Sequence, residues 1–251
     1  MRLLRTRQEV VFYADRLGLL LGADADRLSA MRTDADSVDL LTWNIFASLG
    51  THVDEQWLAH RLNPLGGARV RAPVRLAYWT GRHREPLLRP SHAYVAALRE
   101  RSAKAGGGGA GVVAFTEPVE VPVRIESPET LVLVDTVGHR QPRGAGGRER
   151  VLELIDAGLD HARRLGCSLS VAVVYPSGTP AAGDLSARIN ELRDPATLRA
   201  ELGNRALAPV ALRELSWQRL VNIWEAERDY LDLAGQPVKA FLSHLEQRGL
   251  R

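Results

Sequence analysis

The sequence predicts an α/β protein, a mixed central sheet flanked by helices with a helical C-terminal region, and three observations predict it. Two β-rich runs, 119–126 and 130–137, are joined by the turn "SPE". The stretch "RERVLELIDAGLDHARRLG" at 148–166 then carries apolar residues at helical spacing and closes on Gly166. "CSLSVAVVYP" follows as a continuous apolar run, the pattern of a strand covered on both faces. Hairpin, crossover helix and buried strand in that order place antiparallel and parallel pairing in one sheet.

The remaining elements are read in chain order. Helical spacing runs through 8–21 and 39–49, and "DEQWLAHRL" continues as a short helix before the break at 64–67. Segment 68–79, "ARVRAPVRLAYW", alternates apolar and basic residues, which predicts a strand with an Arg-lined face. A helix is expected over 90–103, a flexible linker at "AGGGGAG" (105–111), and at most a short strand at 112–115. Helices are expected over 184–202 and 212–234, with a final one in "PVKAFLSHLEQRG". The expected organisation is a single domain over 1–251. It comprises N-terminal helices in 1–60, a basic segment in 61–104, the linker, a sheet core in 112–180 and C-terminal helices in 184–251.

With 45% hydrophobic residues in 251, the chain can bury a full core. Its first residues read as a helix, because Glu9, Asp15 and Arg16 interrupt the apolar stretch that a signal peptide needs. No window approaches an uninterrupted membrane span, so no membrane partner is expected. The lone Cys167 cannot form a disulfide within the chain and reads as a half-buried small hydrophobe, which suits a reducing cytoplasm.

The net charge of +3 hides a local excess. Residues 61–104 hold 10 Arg and Lys against Glu85 and Glu100, a local +8. Arg69, Arg71, Arg75, Arg82, Arg84 and Arg89 are interleaved with Tyr78, Trp79 and Tyr94, a composition that holds phosphates and stacks on bases. Arg143 and Arg148 flank "GAGG" just before a helix, where free N–H groups and positive charge would receive an anion. Trp43, Trp57, Trp217 and Trp224 fall on apolar helix faces and are expected in the core. His52, His60, His83 and His92 lack zinc-site spacing.

The order of motifs resembles the bacterial restriction-endonuclease-like proteins of the PD-(D/E)XK nuclease superfamily. The stretches that carry the resemblance are "LLTWNIFASL", "TEP" at 116–118, "SPETLVLVD" at 127–135, the 148–166 helix, "LRDPATLRAEL" and "LSWQRLV". The resemblance implies a restriction-endonuclease-like fold, an acid on the first hairpin strand, and acid, any residue, Lys at the end of the second. Those carboxylates would bind Mg²⁺, and the Lys would orient water or stabilise the phosphorane. Matched residue by residue, the second acid is Asp135, Val137 stands in place of the Lys, Pro122 in place of the first acid, and Arg150 where Gln is frequent.

The implied function is a nuclease-fold protein with a degraded metal site, binding nucleic acid or a nucleic-acid-bound partner without cleavage and needing no cofactor. One alternative is an active Mg²⁺-dependent nuclease with a migrated site. Strand parity puts Glu120 and Arg124 on the Pro122 face, each roughly 7 Å along the strand; Glu120 and Asp135 would be the ligands, and Arg124 or His139 the cation. In the other alternative the protein is a structural or regulatory subunit whose 184–202 and 212–234 helices bind a partner protein. Without a metal, Asp135 is expected to bond loop backbone or pair with Arg124.

Overall fold

The computed structural model describes residues 10–22, 24–34, 36–66, 70–104, 114–138 and 149–251. The 105–111 linker, Arg69, His139, Arg143 and Arg148 therefore lie outside the described residues. The chain divides into two compact units: the described residues up to Val53 with Trp217–Arg251, and Asp54–Ser216.

The first unit is helical, with α1 (Ala14–Leu21), α2 (Ala25–Thr33), α3 (Val38–Leu49), α9 (Trp217–Glu227) and α10 (Val238–Gln247). Ser37 caps α3 by accepting Leu40 N–H, and every residue from Leu40 to Leu49 is buried. A helix buried all round must satisfy its polar side chains internally. Asn44 does so by accepting Phe12 N–H at 2.9 Å and donating to the Val10 carbonyl at 2.8 Å. Ser48 Oγ likewise accepts the Trp224 indole N–H at 2.7 Å. Phe12, Trp224 and Phe241 stack edge to face or tilted around this point, with centroids 5.1–6.1 Å apart.

The second unit holds the sheet. Its strands are β1 (Arg75–Thr80), β2 (Val121–Glu126), β3 (Thr130–Thr136), β4 (Ser168–Tyr175) and β5 (Val210–Ser216), in spatial order β1-β2-β3-β4-β5. β1–β2 and β2–β3 are antiparallel, while β3–β4 and β4–β5 are parallel. The crossover from β3 to β4 is α6 (Arg150–Leu165). Around the sheet in sequence lie α4 (Glu55–Leu62), α5 (His92–Lys104), α7 (Pro180–Leu192) and α8 (Pro195–Glu201).

α6 approaches the sheet at Gly158, where an added Cβ would come within 2.7 Å of Leu133 Cδ1 and 3.0 Å of Leu169 Cδ1. Only a residue without a side chain lets the helix lie this close to β3 and β4. By parity, Leu131, Leu133 and Asp135 share that face with Leu169, Val171 and Val173. Leu133, Leu154, Ile155, Leu169 and Val171 belong to the buried cluster there.

The architecture is thus α/β with a five-stranded mixed sheet flanked by helices, and it differs from the expected layout in particulars. The strand expected over 68–79 begins at Arg75 among the described residues, so of Arg71 and Arg75 only Arg75 is in the ladder. Segment 212–234 does not run as one helix: 212–216 belongs to edge strand β5, and α9 starts at Trp217. The 184–202 segment breaks into α7 and α8 where Asp194 caps the second helix. Ala114–Thr116 is one 3-10 turn. Helix α2 has no counterpart in the sequence reading; it buries only Met31 and has almost no amphipathic face. Among the described residues no helix is long and apolar enough to cross a membrane.

Candidate functional site

The β2–β3 hairpin is made by β-branched residues on both strands and a turn in which Ser127 N–H meets the Thr130 carbonyl at 3.0 Å. Its register pairs Val123 with Val134 and Arg124 with Leu133. One further step places Pro122 opposite Asp135, and directly opposed side chains share a face. Glu120, Pro122, Arg124 and Glu126 therefore lie on the Asp135 face. Pro122 has no N–H for the ladder, and its β1 neighbour Trp79 leaves extended geometry with φ 47°.

Asp135 is 5% exposed. Burial raises its pKa, while Arg150 and the Thr136 N–H pull it back down. Its partner is Arg150, whose Nε donates to Oδ1 at 3.2 Å and whose Nη2 donates to the Glu120 backbone carbonyl. The pairing with Arg124 expected from sequence does not form. Arg124 is two residues further along β2, at Leu133, and its Nε lies 3.1 Å from Glu126 Oε1. Arg150 reaches Asp135 instead because α6 begins beside the C-terminal end of β3. Val137 is packed against the core cluster, and its N–H continues the ladder to the Val174 carbonyl at 2.8 Å.

These residues do not fit Mg²⁺, which needs several hard oxygen ligands in near-octahedral order. The two positions that face each other supply one carboxylate, already bonded to a guanidinium, and a proline ring. Arg150 also occupies the Glu120 carbonyl. Among the described residues no three His, Cys, Asp or Glu side chains stand together as a metal cluster.

The start of α6 is fixed on its other side too. Glu149 accepts from Arg188 of α7 through Nε at 3.0 Å and Nη2 at 2.9 Å, and Arg188 also reaches Glu191 and Glu201. These hydrogen bonds, the one to Glu149 foremost, hold the Arg188 pKa above its ordinary value. Two turns on, the fully buried Asp156 accepts Ser91 N–H at 2.6 Å, Ser91 O–H at 2.7 Å and the Arg205 guanidinium. Arg205 reaches Asp160 as well, at 2.7 Å. Neither the Arg150 clasp nor the Asp156 cluster was read from sequence. The available signal was helical spacing: residues 149, 153, 156 and 160 alternate with the apolar stripe of an otherwise core-facing helix.

The basic segment divides by side-chain type. Tyr78, Trp79 and Tyr94 are 4%, 2% and 0% exposed, so the expected base-stacking surface is absent there; the rings went into the core because their apolar area outweighs any role outside. Arg71, Arg75, Arg82 and Arg89 are exposed and Arg84 is half-buried. Arg71 pairs with Glu129 and Arg82 with Glu117, both at 2.6 Å. Arg89 lines a cleft of about 640 Å³ with Glu85, His92, Asp160, Arg163 and Arg164, which draws basic residues of α6 to the same surface. Trp43, Trp217 and Trp224 are buried as expected, while Trp57 is half-buried with the Arg61 guanidinium 5.7 Å from its ring.

No family model, curated protein or solved structure matches the chain. What the geometry defines by itself is an α/β protein with a mixed five-stranded sheet, a guanidinium clasped on the acid at the end of β3, and an exposed arginine surface.

Proposed function

We propose that the protein is a nuclease-fold relative that holds nucleic acid, or a partner already on nucleic acid, without cutting it. The observation that carries this reading is the Arg150–Asp135 pair. A guanidinium supplies, from the protein itself, the positive charge that a metal would bring to that carboxylate, and it is a poor acid–base group for activating water. Contact falls to exposed arginines: Arg75 on β1 and, around the cleft, Arg89 with Arg164 and the Asp160-paired Arg163 of α6. Their charge attracts phosphate backbones whatever the sequence.

Electrophoretic shift of a duplex and of a single strand over a salt series tests the reading. With four phosphate contacts, affinity falls about a hundredfold between about 50 and 200 mM salt. Arg75→Glu with Arg89→Glu abolishes the shift, and the nucleic acid stays intact in Mg²⁺. Absence of retention at low salt removes the binding proposal. Mg²⁺-dependent cleavage that vanishes in Asp135→Ala and Glu120→Ala replaces it with the migrated-site nuclease.

A further inference from the structure

The cleft beside Arg89 has two walls, each fixed by the fold. One is the segment from Glu85 to His92, tied down where Leu88 N–H meets the Gly81 carbonyl at 2.8 Å and Val119 N–H meets the Leu88 carbonyl at 2.7 Å. The other is the face of α6 that carries Ala157, Asp160, Arg163 and Arg164, residues brought together by helical spacing. Ser91 ties the two walls together, because its N–H and O–H both go to the buried Asp156 of α6. At about 640 Å³ the cleft falls within the size range of small-ligand sites.

The charges that line it do not cancel. Three guanidiniums, Arg89, Arg163 and Arg164, stand against two carboxylates, Glu85 and Asp160, which leaves a net +1. Both acids are engaged within the protein. Asp160 pairs with Arg163 and, at 2.7 Å, with Arg205, while Glu85 accepts the Leu87 N–H at 2.9 Å. Arg89 and Arg164 are exposed, and among the described residues neither is paired with an acid; Arg164 meets the His161 ring at 3.5 Å. Two guanidiniums over one cleft suit an anion with several oxygens to offer. A net +1 suits a single phosphoryl group better than a run of phosphates, each of which would add its own repulsion from Glu85 and Asp160. The rest of the lining is largely apolar: Pro86, Leu87, Pro90 and Ala157 bring no polar side chain and can cover the face of a ring.

We propose that this cleft binds a phosphomonoester of mononucleotide size, with Arg89 and Arg164 on the phosphate and the base against Pro86, Leu87 and Pro90. Arg163 neutralises Asp160, so that this carboxylate does not repel the anion. A free nucleoside monophosphate and the phosphorylated end of a strand share this chemistry, and only the second rests on the nucleic-acid reading above.

Calorimetric titration of the full chain with adenosine monophosphate, adenosine and inorganic phosphate, at pH 7 and constant ionic strength, measures it. Adenosine monophosphate binds saturably at one site. Adenosine, which lacks the charge, and phosphate, which lacks the ring, each bind at least about tenfold more weakly. Arg89→Gln and Arg164→Gln, both changes at exposed side chains, each weaken the mononucleotide about tenfold. Arg199→Gln removes an exposed charge on α8, outside the cleft, and leaves affinity unchanged. A short thymidine strand with and without a terminal phosphate separates the sources: tighter binding of the phosphorylated strand assigns the cleft to strand ends, and equal binding assigns it to the free nucleotide. Mononucleotide binding without retention of any strand removes the nucleic-acid reading and keeps this one. Lack of saturable heat with adenosine monophosphate, equal affinity for adenosine or phosphate, unchanged affinity in Arg89→Gln and Arg164→Gln, or an equal loss in Arg199→Gln overturns the proposal.

Discussion

Asp135 carries its charge at a place where burial disfavours it, and one guanidinium from the next helix makes that tolerable. Breaking such a pair from one side costs more than the pair itself is worth, because the remaining ion keeps its desolvation penalty. Arg150→Met is therefore expected to lower unfolding free energy by about 3 kcal/mol at pH 7, the low end of the range because Arg150 is 34% exposed. Asp135→Leu combined with Arg150→Met recovers most of the loss. The sign with pH follows from the raised pKa. Between the unfolded and folded values the folded state binds more protons, so stability falls as pH rises through that window. The Arg150→Met deficit is accordingly widest at neutral pH and narrows on acidification, as the bare carboxyl takes up a proton. Urea titrations of wild type, single and double variants at pH 4 to 7 measure both effects, and a pH-independent deficit would show that Asp135 is not the source.

At the scale of elements, α6 decides how the hairpin side of the sheet is covered, and Gly158 sets its distance. Filling that position forces Leu133 and Leu169 aside. Ala gains about 1 kcal/mol of helix propensity against an overpacking cost of about 1–3, so Gly158→Ala ends near a loss of about 1 kcal/mol. Gly158→Val, with two more methyls and a stiffer χ1, loses about 3 kcal/mol. Gly183 in α7 has nothing within 4 Å of a built Cβ, and Gly183→Ala is expected to raise stability by up to about 1 kcal/mol. Denaturant midpoints of the three variants separate packing from propensity. The elements visible in the sequence were those whose apolar pattern is dense: the hairpin, α6 and β4 stand within a residue or two of their expected bounds. β5 was hidden because "VALRELS" is an edge strand with Arg213 and Glu214 in it, and it runs straight into the periodic pattern of α9. α2 was hidden because a helix that buries one residue leaves no stripe to read.

Over the whole molecule, the local +8 of residues 61–104 is less than it looks, because the fold brings acids from other segments against it. Glu117 and Glu129, both outside the basic stretch, take up Arg82 and Arg71. No count along the chain shows this, since each pair spans 35 or 58 residues. For the same reason the acid at 135 was legible while its partner was not: which cation meets a strand-end carboxylate depends on where the crossover helix starts. Exposed pairs contribute little to stability, so both glutamates can be neutralised without risk to the fold. If the arginine surface binds nucleic acid, Glu117→Gln and Glu129→Gln each release one guanidinium for a phosphate. Affinity should then rise at low salt, and the slope of log K against log salt should steepen by about 0.9 per freed contact. Thermal midpoints stay within about 2 °C of wild type. Binding isotherms at four or more salt concentrations give the slope directly. An unchanged slope in the double variant would show that Arg71 and Arg82 lie off the bound path and that Arg75, Arg89 and the α6 arginines carry the contact alone.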